Sequence, residues 1–225
     1  MRESFVYLLA PELKGVNPQR VWDSEVTAGY PKNFRLGDVP LELSGQVEAH
    51  EALGKYLKKL DLIPEAGAIL DLGAGPCSDL VFGRQVVKDR VWGIDYAEGQ
   101  LGRSQIPANR QIVADLRKND FAAKLGKNHF ALATSFLLAK YLTVGEAGSL
   151  YGRIRNIAQR LVVVEYRAVA EEFEELLGQK RTFVLEEEKM LLETTGWQNA
   201  AAKILKVNVG NDSHVFGIVW AEADR

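Results

Sequence analysis

The residues best suited to chemistry are three aspartates that lie at the ends of apolar runs, together with one glycine-rich turn. Asp71 stands just before Gly73 and Gly75, while Asp95 and Asp115 end later runs. The glycines let the backbone turn tightly and approach a ligand closely. In a doubly wound sheet, ligands bind at the carboxyl edge. At that edge Asp95 is placed to accept hydrogen bonds from ribose hydroxyls, and Asp115 is placed to accept one from an adenine amine. This acidic set fits a cationic, nucleoside-bearing ligand better than a pyrophosphate.

A parallel sheet is needed to bring these residues together, and the pattern of apolar runs predicts one. In most of the segments between these runs, apolar residues recur at helical intervals. This pattern indicates strands that alternate with helices, and a sheet covered on both faces. The chain then ends in two alternating runs around Gly210-Asn211-Asp212, which predict an antiparallel hairpin. The predicted strands cover residues 68–72, 90–95, 111–114, 130–136, 161–166, 202–209 and 213–221, and the main predicted helices cover 46–60, 78–88, 145–159 and 186–195.

The N-terminal part of the chain lacks this periodicity. Pro11, Pro18, Pro31 and Pro40 punctuate residues 1–45, which predicts short turns or brief helical pieces. Ser44 is a candidate N-cap for the helix that follows. We therefore divide the chain into an N-terminal helical or irregular segment, residues 1–60, and a main domain, residues 61–225.

Composition and charge restrict the class of protein. The formal net charge of -2 implies no strong field for polyanions, and we interpret the basic residues in 103–110 together with Arg117 and Lys118 as a solvated face. Cys77 is the only cysteine, so there is no internal disulfide and no cysteine-based metal cluster. The apolar patch at residues 5–10 is too short to span a membrane. We expect a cytoplasmic protein without a membrane partner.

The motifs resemble those of the class I S-adenosylmethionine-dependent methyltransferases. The resemblance rests on residues 68–77, on Gly93-Ile94-Asp95, on residues 113–116 and on the terminal hairpin, and it covers roughly residues 66–222. It implies an α/β fold with a Rossmann-like, doubly wound, mostly parallel seven-stranded sheet ending in an antiparallel hairpin. The N-terminal segment would be an appendage, in the position of a lid over the acceptor site.

The resemblance also implies S-adenosylmethionine as cofactor and a set of residues that bind it. Asp71 would orient the methionine end, Asp95 would hold the ribose hydroxyls, and Asp115 would accept from the adenine amine. Leu116 would lie beside the ring, and the segment after the fourth strand would lie near the methyl group. The implied cofactor-binding residues are Asp71, Gly73, Ala74, Gly75, Asp95, Tyr96, Asp115, Leu116, Ser135 and Phe136.

The acceptor is less well defined than the cofactor. Thr134-Ser135-Phe136 replaces the Asn-Pro-Pro-Tyr type of motif, which disfavours amino groups of nucleic acid bases and glutamine. The chain has no large insertion, which favours a small-molecule acceptor, and an RNA or protein acceptor stays open. No metal-ligand cluster or general base stands out, and His129 and His214 are interpreted as structural. The acceptor-site candidates are Tyr30, His50, Glu165 and Tyr166.

Two other functions fit parts of the same pattern. Residues 73–78 nearly match G-x-G-x-x-G, which is typical of NAD(P)-dependent oxidoreductases, although Asp71 before the glycines and the final hairpin count against this class. A non-catalytic binding module with a methyltransferase-like fold is the second alternative, because fold alone does not establish activity. An intact set of cofactor residues argues against a pure scaffold.

Overall fold

The computed structural model describes residues 33–36, 39–42, 46–118, 121–126, 128–166, 181–210 and 212–224. In this part of the chain, strands alternate with helices before two long strands end it. Short 3₁₀ helices lie at Ala108–Arg110 and Ala139–Tyr141. The other elements are β1 (Asn33–Leu36), β2 (Val39–Glu42), α1 (Gln46–Lys59), β3 (Ile69–Leu72), α2 (Ser78–Phe82), α3 (Arg84–Arg90), β4 (Val91–Asp95), α4 (Glu98–Leu101), β5 (Gln111–Val113), α5 (Phe121–Leu125), β6 (Leu132–Phe136), α6 (Val144–Arg155), β7 (Arg160–Tyr166), α7 (Leu185–Thr194), β8 (Gln198–Val209) and β9 (Asp212–Glu222).

Seven strands form one sheet in the order β5-β4-β3-β6-β7-β9-β8. The strands from β5 across to β7 are parallel, whereas β9 runs antiparallel to both β7 and β8. The predicted mostly parallel sheet with a terminal hairpin is therefore confirmed. Strand order reverses at β3, because β4 and β5 lie on one side of it and β6 and β7 on the other. The carboxyl end of β3 is thus the place where doubly wound sheets bind ligands.

Helices cover both faces of this sheet, since alternate residues of a strand point to opposite faces. On one face, which we call the α6 face, Leu70 and Val163 share a buried core with residues of α5, α6 and α7. On the other, the α1 face, Ile69 and Val162 pack with residues of α1, α2 and α3. Helix α1, which we placed in the N-terminal segment, contributes Leu53 to this second core.

Two helices differ from their predicted bounds. The helix predicted over residues 78–88 is two helices, α2 and α3, because Gly83 between them has a φ of 86°, a value outside the α region. The helix predicted over 145–159 ends at Arg155 and begins at Val144. It starts there because Thr143 and Glu146 form a capping box, which satisfies two backbone N–H groups at the helix start.

Three strands also differ from prediction. Short turns or helical pieces were predicted before residue 45, and this is wrong for β1 and β2, which pair as antiparallel strands. The two residues between them in the sequence, Gly37 and Asp38, are a pair typical of two-residue hairpin turns. Strand β8 begins at Gln198 rather than at residue 202, and its first residues form a β-bulge. Asn199 has a φ of 55° within that bulge.

Candidate functional site

The glycine-rich turn lies directly after β3 and is fastened to the neighbouring strand. Gly73 and Gly75 have φ values of 68° and 46°, in the left-handed region that glycine adopts without strain. The backbone N–H groups of Gly73 and Ala74 both donate to the carbonyl of Ile94, at 2.8 and 3.0 Å. Gly93 leaves room for this arrangement, because a Cβ there would lie 3.0 Å from the Cβ of Ala74. The turn is therefore a fixed, close-approach surface at the carboxyl edge of the sheet.

Asp95 closes this turn from the end of β4. Its Oδ2 accepts a hydrogen bond from the backbone N–H of Gly75 at 3.0 Å. Its Oδ1 accepts from the backbone N–H of Ala97 at 2.9 Å. These two hydrogen bonds set the orientation of the carboxylate. Tyr96, the next residue, is half-buried beside it.

Asp71 lies under the turn. Ser78 at the start of α2 donates to its Oδ2 at 2.6 Å, and Thr134 of β6 donates to its Oδ1 at 2.9 Å. The residue is 1% exposed, and this burial raises its pKa to about 7, although the two hydrogen bonds act in the opposite direction. Asp71 therefore joins β3, β6 and α2. Neither hydroxyl partner was predicted from the sequence.

Asp115 lies beyond the end of β5 and is engaged by a neighbouring cation. Arg117 donates from its backbone N–H and from Nε to Oδ1, at 3.1 and 2.7 Å, and from Nη2 to Oδ2 at 2.7 Å. These side-chain hydrogen bonds lower the pKa of Asp115, so that it stays ionised. Leu116 between the two is buried in the core of the α6 face, and its carbonyl accepts from Nη2 of Arg153 at 2.7 Å.

The end of β6 forms the next part of the edge. Ser135 pairs in register with Leu72 of β3, and its Oγ is buried without a hydrogen-bond partner in the part of the chain that the structure describes. Phe136 packs against Phe82 on the α1 face, with ring centroids 5.6 Å apart. Leu138 then covers the glycine-rich turn, because a Cβ on Gly73 would meet its side chain at 3.2 Å.

Two of the acceptor-site candidates lie in one aromatic group on the α1 face. The ring of Phe216 on β9 contacts both His50 of α1, at 6.0 Å between centroids, and Tyr166 of β7, at 5.2 Å. The Tyr166 hydroxyl also shares a hydrogen bond with Nδ1 of His214. His214 is 5% exposed, and its Nε2 has no hydrogen-bond partner among the described residues. It was interpreted from the sequence as structural, whereas the register puts it at the same edge as the glycine turn.

Glu165 is not part of that group. It follows Val164 on β7 but points to the α6 face, where its carboxylate accepts from the backbone N–H of Lys140 at 3.3 Å. Burial raises its pKa to about 8, against the opposing effect of the Lys140 charge. The contact holds the 3₁₀ helix that follows β6. Tyr30, the remaining candidate, lies outside the described residues.

A second buried cluster supports the same loop. Arg181 donates from Nε to the carbonyls of Ala139 and Leu142, at 3.2 and 3.1 Å. Its Nη1 and Nη2 donate to Glu188 of α7 at 2.6 and 3.1 Å, and the Tyr151 hydroxyl of α6 donates to the same carboxylate. The loop after β6 is thus tied to two helices of the α6 face.

The described residues contain neither a metal site nor a membrane-crossing helix. Within the described ranges, no three His, Cys, Asp or Glu side chains are grouped so that they could hold a metal ion. No described helix is both long and apolar enough to cross a membrane.

Comparison with known proteins identifies the fold. No family model matches the chain, and no curated protein matches it in sequence. Among solved structures, it is similar to magnesium protoporphyrin IX methyltransferase from Synechocystis PCC 6803 with bound SAM, with a TM-score of 0.59, 12% identity and coverage of 92% of this chain and 98% of that one.

Two further solved structures agree with this one. The first is a SAM-dependent methyltransferase from Archaeoglobus fulgidus, with a TM-score of 0.57, 11% identity and coverage of 77% of this chain and 94% of that one. The second is Haemonchus contortus phosphoethanolamine N-methyltransferase 2, with a TM-score of 0.61, 14% identity and coverage of 93% and 60%. The chain therefore has the Rossmann-like fold of the class I S-adenosylmethionine-dependent methyltransferases.

Proposed function

We propose that this protein binds S-adenosylmethionine at the carboxyl edge of β3, β4 and β5 and transfers its methyl group to a small-molecule acceptor. The observation that carries the proposal is the turn of Gly73 and Gly75, which Asp95 fastens through the backbone N–H of Gly75 at the strand switch point. Among the described residues, a Cβ on Gly75 would come within 4 Å of the Gly73 carbonyl oxygen alone, so a nucleoside can approach the backbone at that glycine. Solved structures of similar fold include one with bound SAM, and this supports the same cofactor here.

The residues of the edge fit the parts of that cofactor. We infer that Asp95, which two backbone N–H groups hold, accepts from the ribose hydroxyls, and that the ionised Asp115 accepts from the adenine amine. The bound cofactor supplies an electrophilic methyl group on a sulfonium. The protein then has to place the acceptor in line and exclude water.

An NAD(P)-dependent oxidoreductase is not favoured by the same edge. Asp71 occupies the strand position just before the glycines and is buried under the turn, where the dinucleotide fingerprint usually has an apolar residue. Asp115 would also have no task toward a pyrophosphate, because both groups are anionic. A non-catalytic binding module is the second candidate, since no described residue is yet tied to an acceptor.

The acceptor side is proposed on the α1 face, at Tyr166, His214 and His50. An unpartnered nitrogen in a buried place costs about 1–3 kcal/mol unless a ligand satisfies it, and Nε2 of His214 is in that situation. We infer that Nε2 of His214 contacts the acceptor, and that the acceptor is a small molecule with a polar nucleophilic group. The N-terminal segment, including Tyr30, is proposed as the lid over this side.

Calorimetry tests the cofactor assignment. S-adenosylmethionine, S-adenosylhomocysteine and NAD are titrated into the wild type, Asp95→Ala and the control Asp89→Ala, which changes an exposed aspartate of α3. We expect the two sulfur nucleosides to bind, and Asp95→Ala to weaken them by roughly 1–3 kcal/mol, with the control unchanged. Because Asp95 also holds the turn, Asp95→Asn and circular dichroism check that the fold is intact. Binding of NAD alone, or of no nucleoside to folded protein, would overturn the proposal.

A further inference from the structure

We propose that Arg117 is a specificity-determining residue, which holds Asp115 in the orientation that accepts a hydrogen bond from the exocyclic amine of adenine. The inference rests on the proposed function, because it concerns the nucleoside end of the same site. It assigns a role to a residue that the sequence pattern indicated only as part of a solvated basic face.

The geometry of the pair supports this role. Arg117 makes three hydrogen bonds to Asp115, two to Oδ1 and one to Oδ2. The guanidinium approaches with Nε and Nη2 together, in the bidentate form that fixes a carboxylate in one plane. Of about four lone-pair sites on a carboxylate, this leaves one, on Oδ2. An incoming amine therefore meets one acceptor with a set direction rather than a freely rotating group.

The pair is exposed enough to be reached by a ligand. The side chain of Asp115 is 20% exposed and that of Arg117 is 43% exposed. An isolated surface ion pair contributes little to folding stability, so stability alone does not account for a bidentate pair here. Tyr96 and Glu146 lie close enough to Arg117 to raise its pKa further. The cation therefore lies within electrostatic range of the residue after Asp95 and of the start of α6.

The strand ends keep the pair in register with the rest of the site. The backbone N–H of Ala114 donates to the carbonyl of Asp95 at 3.0 Å, so the segment carrying Asp115 is fastened to the strand that carries the ribose-binding candidate. The carbonyl of Leu116 is held by Arg153 from α6. Because the backbone on both sides of Asp115 is held, the direction of its carboxylate depends on the side-chain torsions, which Arg117 can fix.

Calorimetry with two ligands tests this role. S-adenosylhomocysteine carries an amine at C6 of its purine and an unprotonated N1, whereas its deaminated analogue, S-inosylhomocysteine, carries a carbonyl at C6 and a proton on N1. The ratio of their affinities isolates the contacts at this edge of the purine, because changes in overall charge affect both ligands alike. The variants are Arg117→Ala, Arg117→Lys and the matched control Lys118→Ala, which removes an equal charge from the adjacent residue.

We expect the wild type to bind S-adenosylhomocysteine more tightly than the analogue. Arg117→Ala should weaken the binding of S-adenosylhomocysteine about ten-fold and change the binding of the analogue less than about two-fold. The affinity of Arg117→Lys for S-adenosylhomocysteine should lie between those of the wild type and Arg117→Ala, since lysine keeps the positive charge but cannot form the bidentate pair. Lys118→Ala should keep the wild-type ratio. In Asp115→Asn, whose amide can donate to a carbonyl, the preference should shift toward the analogue.

Other outcomes overturn the inference. Equal losses for both ligands in Arg117→Ala would show a merely structural role, and tighter binding of the amine ligand would show that Arg117 competes with adenine for the carboxylate. An equal change of the affinity ratio in Lys118→Ala would show that the effect comes from the lost positive charge and not from the bidentate pair. If neither ligand bound to wild-type protein, the proposed cofactor site itself would be refuted, which is a distinguishable result.

Discussion

Replacing Asp71 with asparagine should make the protein more stable at neutral and alkaline pH. In the folded protein this carboxyl keeps its proton up to about pH 7, whereas its ordinary pKa is 3.8. Between these values the native state binds more protons than the unfolded chain, so the free energy of unfolding falls as the pH rises. At 1.36 kcal/mol per pH unit, the whole window amounts to about 4 kcal/mol, and asparagine removes this loss.

The surroundings of Asp71 can accept the amide. The amide oxygen of asparagine can still accept from one of the two hydroxyls, whereas the other hydroxyl must accept from the amide nitrogen, and each hydroxyl has a second acceptor nearby. Oγ of Ser78 lies 3.3 Å from the carbonyl of Ala74, and Oγ1 of Thr134 lies 3.4 Å from that of Leu70. Each of the two hydroxyl donors therefore keeps an acceptor after the substitution.

Urea unfolding at a series of pH values between 4 and 9 measures this effect. The difference in free energy of unfolding between Asp71→Asn and wild type should grow with pH up to about 7 and stay constant above it. Comparing the two proteins cancels the contribution of Glu165, which is present in both. The control is Asp89→Asn on the surface, which should follow the wild-type curve. A difference that does not change with pH would refute the reasoning.

Two further predictions concern packing and buried charge. Gly54→Ala should lower stability by about 1–3 kcal/mol, because its Cβ would overlap the Val81 carbonyl oxygen. Gly152→Ala should instead raise stability by about 0.5–1 kcal/mol, because a Cβ at this position of α6 would enter open space. Thermal denaturation compares the two variants, and the same shift in Tm for both would contradict the close contact of α1 with α2. Arg181→Met should lower the free energy of unfolding by about 3–5 kcal/mol, because it leaves Glu188 buried without its cation. Adding Glu188→Leu should recover part of that loss in urea unfolding, because it removes the buried charge but leaves the Tyr151 hydroxyl without its acceptor. A double variant as unstable as the single one would count against this account.

The fold could be predicted because strand ends leave a local signal. Each parallel strand is a short apolar run, and the residue at its carboxyl end, such as Asp95, is set at the ligand edge by the topology alone. The terminal hairpin was predicted from its alternation and its turn residues. The pair β1 and β2 was missed although Gly37-Asp38 carried the signal, because four prolines nearby drew the prediction toward irregular structure. Gly83 interrupts a helix by its backbone conformation, which apolar spacing does not report.

The partners of the site residues could not be predicted in the same way. Ser78 and Thr134 meet Asp71 from two other elements, and periodicity reports burial rather than which side chains pair. Arg117 is close to Asp115 in sequence, yet basic residues near a strand end are most often solvated. His214 reaches the edge only through the register of β9 on β7, in which Tyr166 lies opposite Phe216. That register depends on pairing between segments far apart in the chain.

The two outer strands of the sheet have a consequence for how the protein behaves at high concentration. An unpaired strand edge offers N–H and C=O groups on which another chain can add a strand, and from there fibrils can grow. At one side, β5 has only 3 residues, too few to template much pairing. At the other, the longer β8 starts with a bulge and carries the exposed Lys203 and Lys206. An added strand would have to strip water from these ammonium groups, so both borders of the sheet resist self-templated aggregation.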